Sequence, residues 1–168
     1  MHRLLETLAT AVADYLTRQF AAGADAIQIF DSWAGALDGA DYEEFSLRYI
    51  RAVLERLPKA APVILYAKGK SPQAEALART GVPCLGVDWT MPLSQVRGLA
   101  GRPICLQGNL DPTYMPGEPA AAAAAVRAIL QDNAGDPGHI FNLGHGITPD
   151  ARIETFQAVV DTVVASGV

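Results

Sequence analysis

Apolar residues recur at three- and four-residue intervals at Leu5, Leu8, Val12, Leu16 and Phe20, which predicts an amphipathic helix ending before Gly23. The pattern then changes to short, nearly continuous apolar runs at residues 26–30, 62–67, 83–87, 104–107 and 139–143, each the length of a buried strand. Helical spacing returns between the runs. Tyr42, Phe45, Tyr49, Val53 and Leu57 share one helix face, and Ser71-Pro72 and Thr90-Met91-Pro92 read as capped helix starts. The alanine run at 120–125 reads as the middle of a helix opened near Glu118-Pro119. The chain is thus a repeated βα pattern with five strands.

Strands that are apolar throughout, separated by helices, imply a parallel sheet covered by helices, an α/β fold. A doubly wound sheet normally carries a glycine-rich phosphate turn, and neither GxGxxG nor GxxxxGK[ST] occurs here. Across the middle units the strand starts lie about 21 residues apart, and polar or glycine-rich residues follow each strand. This pattern favours five βα units of a (β/α)8 (TIM) barrel. Eight units need roughly 200 residues or more, so the barrel is expected to be incomplete in this chain.

Composition narrows the function classes. The 168 residues are 50% hydrophobic and 18% charged, which excludes a disordered chain and suits one partial barrel domain over residues 1–168. Thirteen Lys and Arg against eighteen Asp and Glu give a net charge of −5, so no broad basic field attracts nucleic acid or anionic lipid. Cys84 and Cys105 lie inside strand-like runs without CxxC spacing and read as reduced, buried thiols. The chain has neither a membrane-length apolar run nor a signal-peptide pattern, so the expected location is cytoplasmic.

The segments that follow the strands carry the chemistry: Phe30-Asp31-Ser32-Trp33-Ala34-Gly35, Tyr66-Ala67-Lys68-Gly69-Lys70, Gly86-Val87-Asp88-Trp89-Thr90, Gln107-Gly108-Asn109-Leu110-Asp111-Pro112 and Asn142-Leu143-Gly144-His145-Gly146. Together, in this order, they resemble the carboxy-terminal part of the uroporphyrinogen decarboxylase family over almost the whole chain. The resemblance implies a cofactor-free and metal-free TIM-barrel carboxy-lyase of haem biosynthesis, usually dimeric. Its reaction converts the four acetate side chains of uroporphyrinogen III to methyl groups, giving coproporphyrinogen III. It also implies substrate contacts at Ser32 and His145. The family's aspartate facing the pyrrole N–H groups, its arginine segment and its substrate tyrosine belong to an amino-terminal part with no counterpart in residues 1–25. No catalytic residue is therefore assigned in this chain, and the chain alone is expected to be inactive.

Read without the resemblance, Ser32 is a turn cap before Gly35, and His145 caps the region near Thr148-Pro149. Lys68 and Lys70 are the nearest cations for the carboxylates of a tetrapyrrole substrate, although lysines flanking a glycine usually stand in solvent. Lys68 and Asp88 are taken as secondary contacts, while Asp31 and Asp88 also suit structural roles at the strand ends. Trp33 and Trp89 read as packing residues, and Gln107 and Asn109 as side chains binding backbone groups.

The expected partner is a second copy or a complementing barrel half, because an open strand edge invites pairing. One alternative is a non-catalytic split-barrel or assembly fragment. A less favoured one is a corrinoid-linked methyltransferase, whose zinc needs His-x-Cys and a further Cys at positions where this chain has Tyr66-Ala67-Lys68 and His145.

Overall fold

The five apolar runs form one sheet of parallel strands, β1 (Ile27–Asp31), β2 (Val63–Ala67), β3 (Cys84–Gly86), β4 (Cys105–Leu110) and β5 (His139–Leu143), hydrogen-bonded in chain order. The structure is a computed structural model and describes residues 1–136 and 138–167. Sequential order decides between the two architectures. A doubly wound sheet reverses its strand order at a switch point, whereas a barrel wall adds each strand beside the last.

The sheet also curls. In a flat sheet β1 and β4 would lie about 14 Å apart, three strand spacings. Yet the Gln107 amide donates to the Gln28 side-chain oxygen at 3.2 Å, reaching across β2 and β3. Gln107 therefore bonds a side chain on the concave face, where a backbone partner was expected.

Register sorts the side chains onto two faces. Phe30 lies opposite Tyr66, Tyr66 opposite Gly86 and Gly86 opposite Gln107, all toward the concave side. The alternate residues, Ile27, Val63, Leu65, Leu85, Leu106 and Leu110, face the helices and are buried. Removing each of these side chains from water contributes about 1.5–3 kcal/mol. Two clusters make up this outer core, one running from α1 to Leu106 and one from Leu110 to the last helix, with Ile129 packed against both.

The helices are α1 (His2–Ala21), α2 (Gly39–Tyr42), α3 (Arg48–Arg56), α4 (Ala74–Ala78), α5 (Leu93–Ala100), α6 (Pro119–Asp132) and α7 (Ile153–Ala165). In α1 the buried stripe is Ala9, Ala13 and Leu16, with Leu5 and Phe20 partly covered, while Leu8 and Val12 are 49% and 40% exposed. The expected face is corrected: α1 packs on α3, and its small alanines Ala9 and Ala13 lie on the buried side. Close approach of the two axes leaves the larger side chains on the flank.

A π-helical turn at Glu43–Leu47 joins α2 to α3, so the helical run is nearly continuous. Its extra residue shifts the phase and brings Leu47 and Ile50 into the core beside Tyr49 and Val53. The expected caps at Ser71 and Thr90 are not used: α4 follows a 3-10 turn and α5 is preceded by Pro92, neither with a side-chain cap. Both hydroxyls go to Asp88 instead. Among the described residues, no helix is long and apolar enough to cross a membrane.

Candidate functional site

Each parallel strand delivers the chain to the same edge of the sheet, so Ser32, Lys68, Asp88 and His145, which follow strand ends, and Asn109, late in β4, gather at one end. Lys68 donates its amide proton to the Asp31 carbonyl at 3.1 Å, continuing the β1–β2 ladder past the strands. An open cleft of about 760 Å³ lies there, lined by Ser32, Trp33, Gly35, Ala36, Lys68, Gly69 and His145. A second cavity of about 330 Å³ runs along the concave face, where Gln28, Phe30, Tyr66, Gln107 and Asn142 meet the same His145. His145 therefore stands at the junction of the two.

Its placement depends on a glycine. A side chain at 144 would put its Cβ 2.7 Å from the Trp89 amide nitrogen and 3.1 Å from the Asp88 carbonyl carbon. Gly144 lets the end of β5 dock directly on the loop after β3. The His145 ring then lies near Tyr66, whose ring centre is 5.9 Å away and within 11° of parallel, and near Trp89, at 6.5 Å.

Ser32 caps nothing: the short 3-10 turn at Ala34–Ala36 begins after Trp33 without a side-chain cap. Among the described residues the Ser32 hydroxyl has no hydrogen-bond partner. Lys68 holds its ammonium 5.7 Å from the Trp89 ring centre at the cleft wall. Trp33, expected to pack in the core, is 84% exposed at the cleft mouth. Among the described residues, no helix layer covers the concave side.

Lys70 and the aspartates are engaged elsewhere. Lys70 is buried, donates to the Leu37 carbonyl and to Asp38 at 3.1 Å, and lies 4.6 Å from the Tyr42 ring centre. Its charge holds the loop after β1 and does not face the cleft lining. Asp31 accepts from the Ser46 hydroxyl on the helix side. It also helps burial, the larger cause, raise the Tyr42 phenol well above its ordinary range. Asp88 is 1% exposed. Its carboxylate accepts from the Gly69 amide, the Ser71 hydroxyl at 3.3 Å, the Thr90 amide at 3.0 Å and the Thr90 hydroxyl. Asn109 donates to the carbonyls of Asp88 at 2.9 Å and Met91 at 2.8 Å. Together Asp88 and Asn109 tie the loops after β2 and β3 to each other and to β4.

The residue missed by sequence reading is Tyr66. Its ring crosses the concave face and its hydroxyl donates to the Gly144 carbonyl at 2.8 Å. The available signal was Gly86, its register partner, where a Cβ would stand 2.9 Å from that of Tyr66. A glycine inside an apolar strand marks close approach of another group. Cys84 and Cys105 are free thiols and register partners on β3 and β4; Cys84 is buried, and Cys105 is partly exposed. Burial first, and then the Cys105 thiol, push the Cys84 thiol up.

Chemically the cleft offers a free hydroxyl, an imidazole, an ammonium and aromatic walls. That set binds carboxylates on an apolar scaffold. Its two aspartates are held away from the opening by their own donors.

The family model described as Uroporphyrinogen decarboxylase (URO-D) matches residues 1–165. The uroporphyrinogen decarboxylase of Tolumonas auensis is 45% identical over 168 residues, covering 95% of this chain and 47% of its own length. That of Ralstonia pickettii is 48% identical over 171 residues, covering 97% and 47%. The chain thus spans about half the length of the curated relatives it matches. Among solved structures, a methyltransferase from Methanosarcina mazei superposes on 95% of this chain and 48% of its own, with a TM-score of 0.81 and 22% identity. At that identity it speaks for the shared fold alone.

Proposed function

The chain belongs to the uroporphyrinogen decarboxylase family, and from that premise we propose that it supplies one side of a tetrapyrrole cleft, completed by a complementing barrel half or a second copy. Ser32 and His145 are its substrate contacts and Lys68 an accessory cation, meeting the acetate and propionate carboxylates of a uroporphyrinogen. The observation that carries this reading is the convergence of Ser32, Lys68 and His145 on one open cleft.

The proposed reaction asks for one group more. Loss of carbon dioxide from a pyrrole acetate requires a proton on the electron-rich ring, so that the electrons of the breaking C–C bond have somewhere to go, and then a proton on the resulting methylene while the ring gives its added proton back, one proton being consumed per carbon dioxide released. An anion near the ring nitrogens stabilises that cationic state, commonly the largest catalytic contribution. Asp31 is bonded to Ser46, and Asp88 is buried among four donors. The stabilising carboxylate is therefore assigned to the complementing part, and the chain alone is inactive. In it Asp88 organises the loops that carry Lys68 and Trp89.

A partner also suits the surface. Leu4, Leu8, Val12 and Tyr15 stand exposed on α1, and Ile153, Phe156, Val160 and Val164 on α7, the helices that flank the two open edges of the sheet. This same observation favours the second reading, in which the chain assembles with another half without contributing to catalysis.

The test is anaerobic incubation with uroporphyrinogen, first with the chain alone and then with the amino-terminal half of the Tolumonas auensis enzyme. Turnover to carboxylate-depleted products is expected only with both parts. Turnover by the chain alone overturns the missing-group argument. A folded, stable complex whose activity survives both Ser32→Ala and His145→Ala supports the assembly reading in its place.

A further inference from the structure

We infer that Tyr66 is the positioning residue of His145, holding its backbone and selecting the tautomer in which the proton sits on Nδ1. The geometry favours one distribution of protons. Tyr66 has a single hydroxyl proton and lies 2.8 Å from the Gly144 carbonyl, which can only accept. That proton is committed there. The same oxygen lies 3.4 Å from His145 Nδ1, a long contact that is attractive when Nδ1 carries a proton and repulsive when it presents a lone pair. Nε2 has no hydrogen-bond partner among the described residues and stays free for a ligand. A histidine's second ring nitrogen commonly fixes the role of the first.

Three further features keep this arrangement in place. Tyr66 is buried at 4% exposure. Its phenol is pushed up to about 12 by burial and by the Asp88 carboxylate, so the hydroxyl keeps its proton throughout the neutral range. Gly86 leaves the space its ring occupies, and the Trp89 ring stands 6.5 Å from the imidazole. When a carboxylate approaches Nε2 and the ring takes up a second proton, Nδ1–H still has its acceptor in Tyr66. The imidazolium then meets the ligand in a fixed orientation.

The ligand role of His145 rests on the proposed function, whereas the tautomer does not, so the decisive experiment reads the tautomer. The chain labelled with 15N-histidine is measured at about pH 8.5, where an ordinary imidazole is neutral. His139 supplies an internal reference of opposite kind, because its Nε2 lies 2.8 Å from the Gly108 carbonyl and must carry the proton. The expected His145 pattern is protonated Nδ1 and unprotonated Nε2. Replacement Tyr66→Phe moves it toward the His139 pattern, while His139 itself stays unchanged.

A His139-like pattern for His145 in the unaltered chain overturns the inference, whatever happens to the variant. So does a folded Tyr66→Phe chain with no change at His145. Turnover with the complementing half separates the two claims: if His145→Gln leaves turnover intact while the tautomer still follows Tyr66, the functional reading falls and the positioning role stands.

Discussion

Gly86 and Tyr66 are register partners on adjacent strands, and the Tyr66 ring fills the space that a side chain at position 86 would need. A Cβ at 86 would lie 2.9 Å from Tyr66 Cβ and 3.0 Å from its Cδ2, too close for any real contact. Gly86→Ala must therefore displace the ring that positions His145. Overpacking of this kind costs about 1–3 kcal/mol. Urea denaturation is expected to show that loss, together with a changed His145 15N pattern. Unchanged stability and pattern would mean that the strands yield without moving the tyrosine.

Asp88 predicts a stability effect. Truncation to Ala leaves the Gly69 and Thr90 amides and two hydroxyls without their acceptor in a buried site. The expected loss is about 2–4 kcal/mol, with a smaller loss for Asp88→Asn, which keeps one acceptor oxygen. Equilibrium unfolding checks this ranking. A neutral Asp88→Ala would show that water replaces the carboxylate, and the loops would then not depend on it.

The two lysines separate by role. Lys70→Met removes a buried cation bonded to Leu37 and Asp38, and is expected to lower the midpoint of thermal unfolding by several degrees. Lys68→Met removes only a half-buried charge beside Trp89 and leaves the midpoint nearly unchanged. In the complemented assembly Lys68→Met raises KM for uroporphyrinogen by a few fold. A melting midpoint that falls more for Lys68→Met than for Lys70→Met contradicts the assignment.

Alkaline pH destabilises the fold, and the sign follows from three raised groups. Cys84 has an ordinary value of 9.0, and Tyr66 and Tyr42 of 10.0, and burial raises all three in the folded chain. Above those ordinary values the unfolded chain has lost protons that the folded chain keeps, so the unfolded state gains. Their stabilisation is complete below about pH 9 and is lost as pH rises through the folded values, which for Tyr66 is about 12. Urea midpoints are expected to fall steadily from pH 9 upward, with a shallower slope in Tyr66→Phe. A flat profile from pH 9 to 11 would show that these groups reach water without unfolding.

Secondary structure was legible wherever a residue's role is local. Five apolar runs, each bounded by a turn, cannot satisfy their backbone groups alone and must pair, and helical segments between them make that pairing parallel. The motif segments after the strands also carried the family resemblance, and Ser32 and His145 were expected contacts through that resemblance alone.

The phase of α1 and the roles of the polar side chains were not legible, since both depend on what stands opposite. Leu8 and Val12 read as core by spacing, yet the alanines won because α3 packs where small residues let it come close. Ser71 and Thr90 read as helix caps by position, but each donates its hydroxyl to the buried Asp88 instead. Lys68 and Lys70 look equivalent along the chain; only the curled sheet puts one at the cleft and the other under a loop. Tyr66 and His145 are neighbours only because the sheet curls, bringing a residue of β2 to the loop after β5. The sequence by itself determined which segments become strands and which chemical groups follow them. Tertiary structure alone decided which of those groups meet, because curvature and register set distances between residues far apart in the chain.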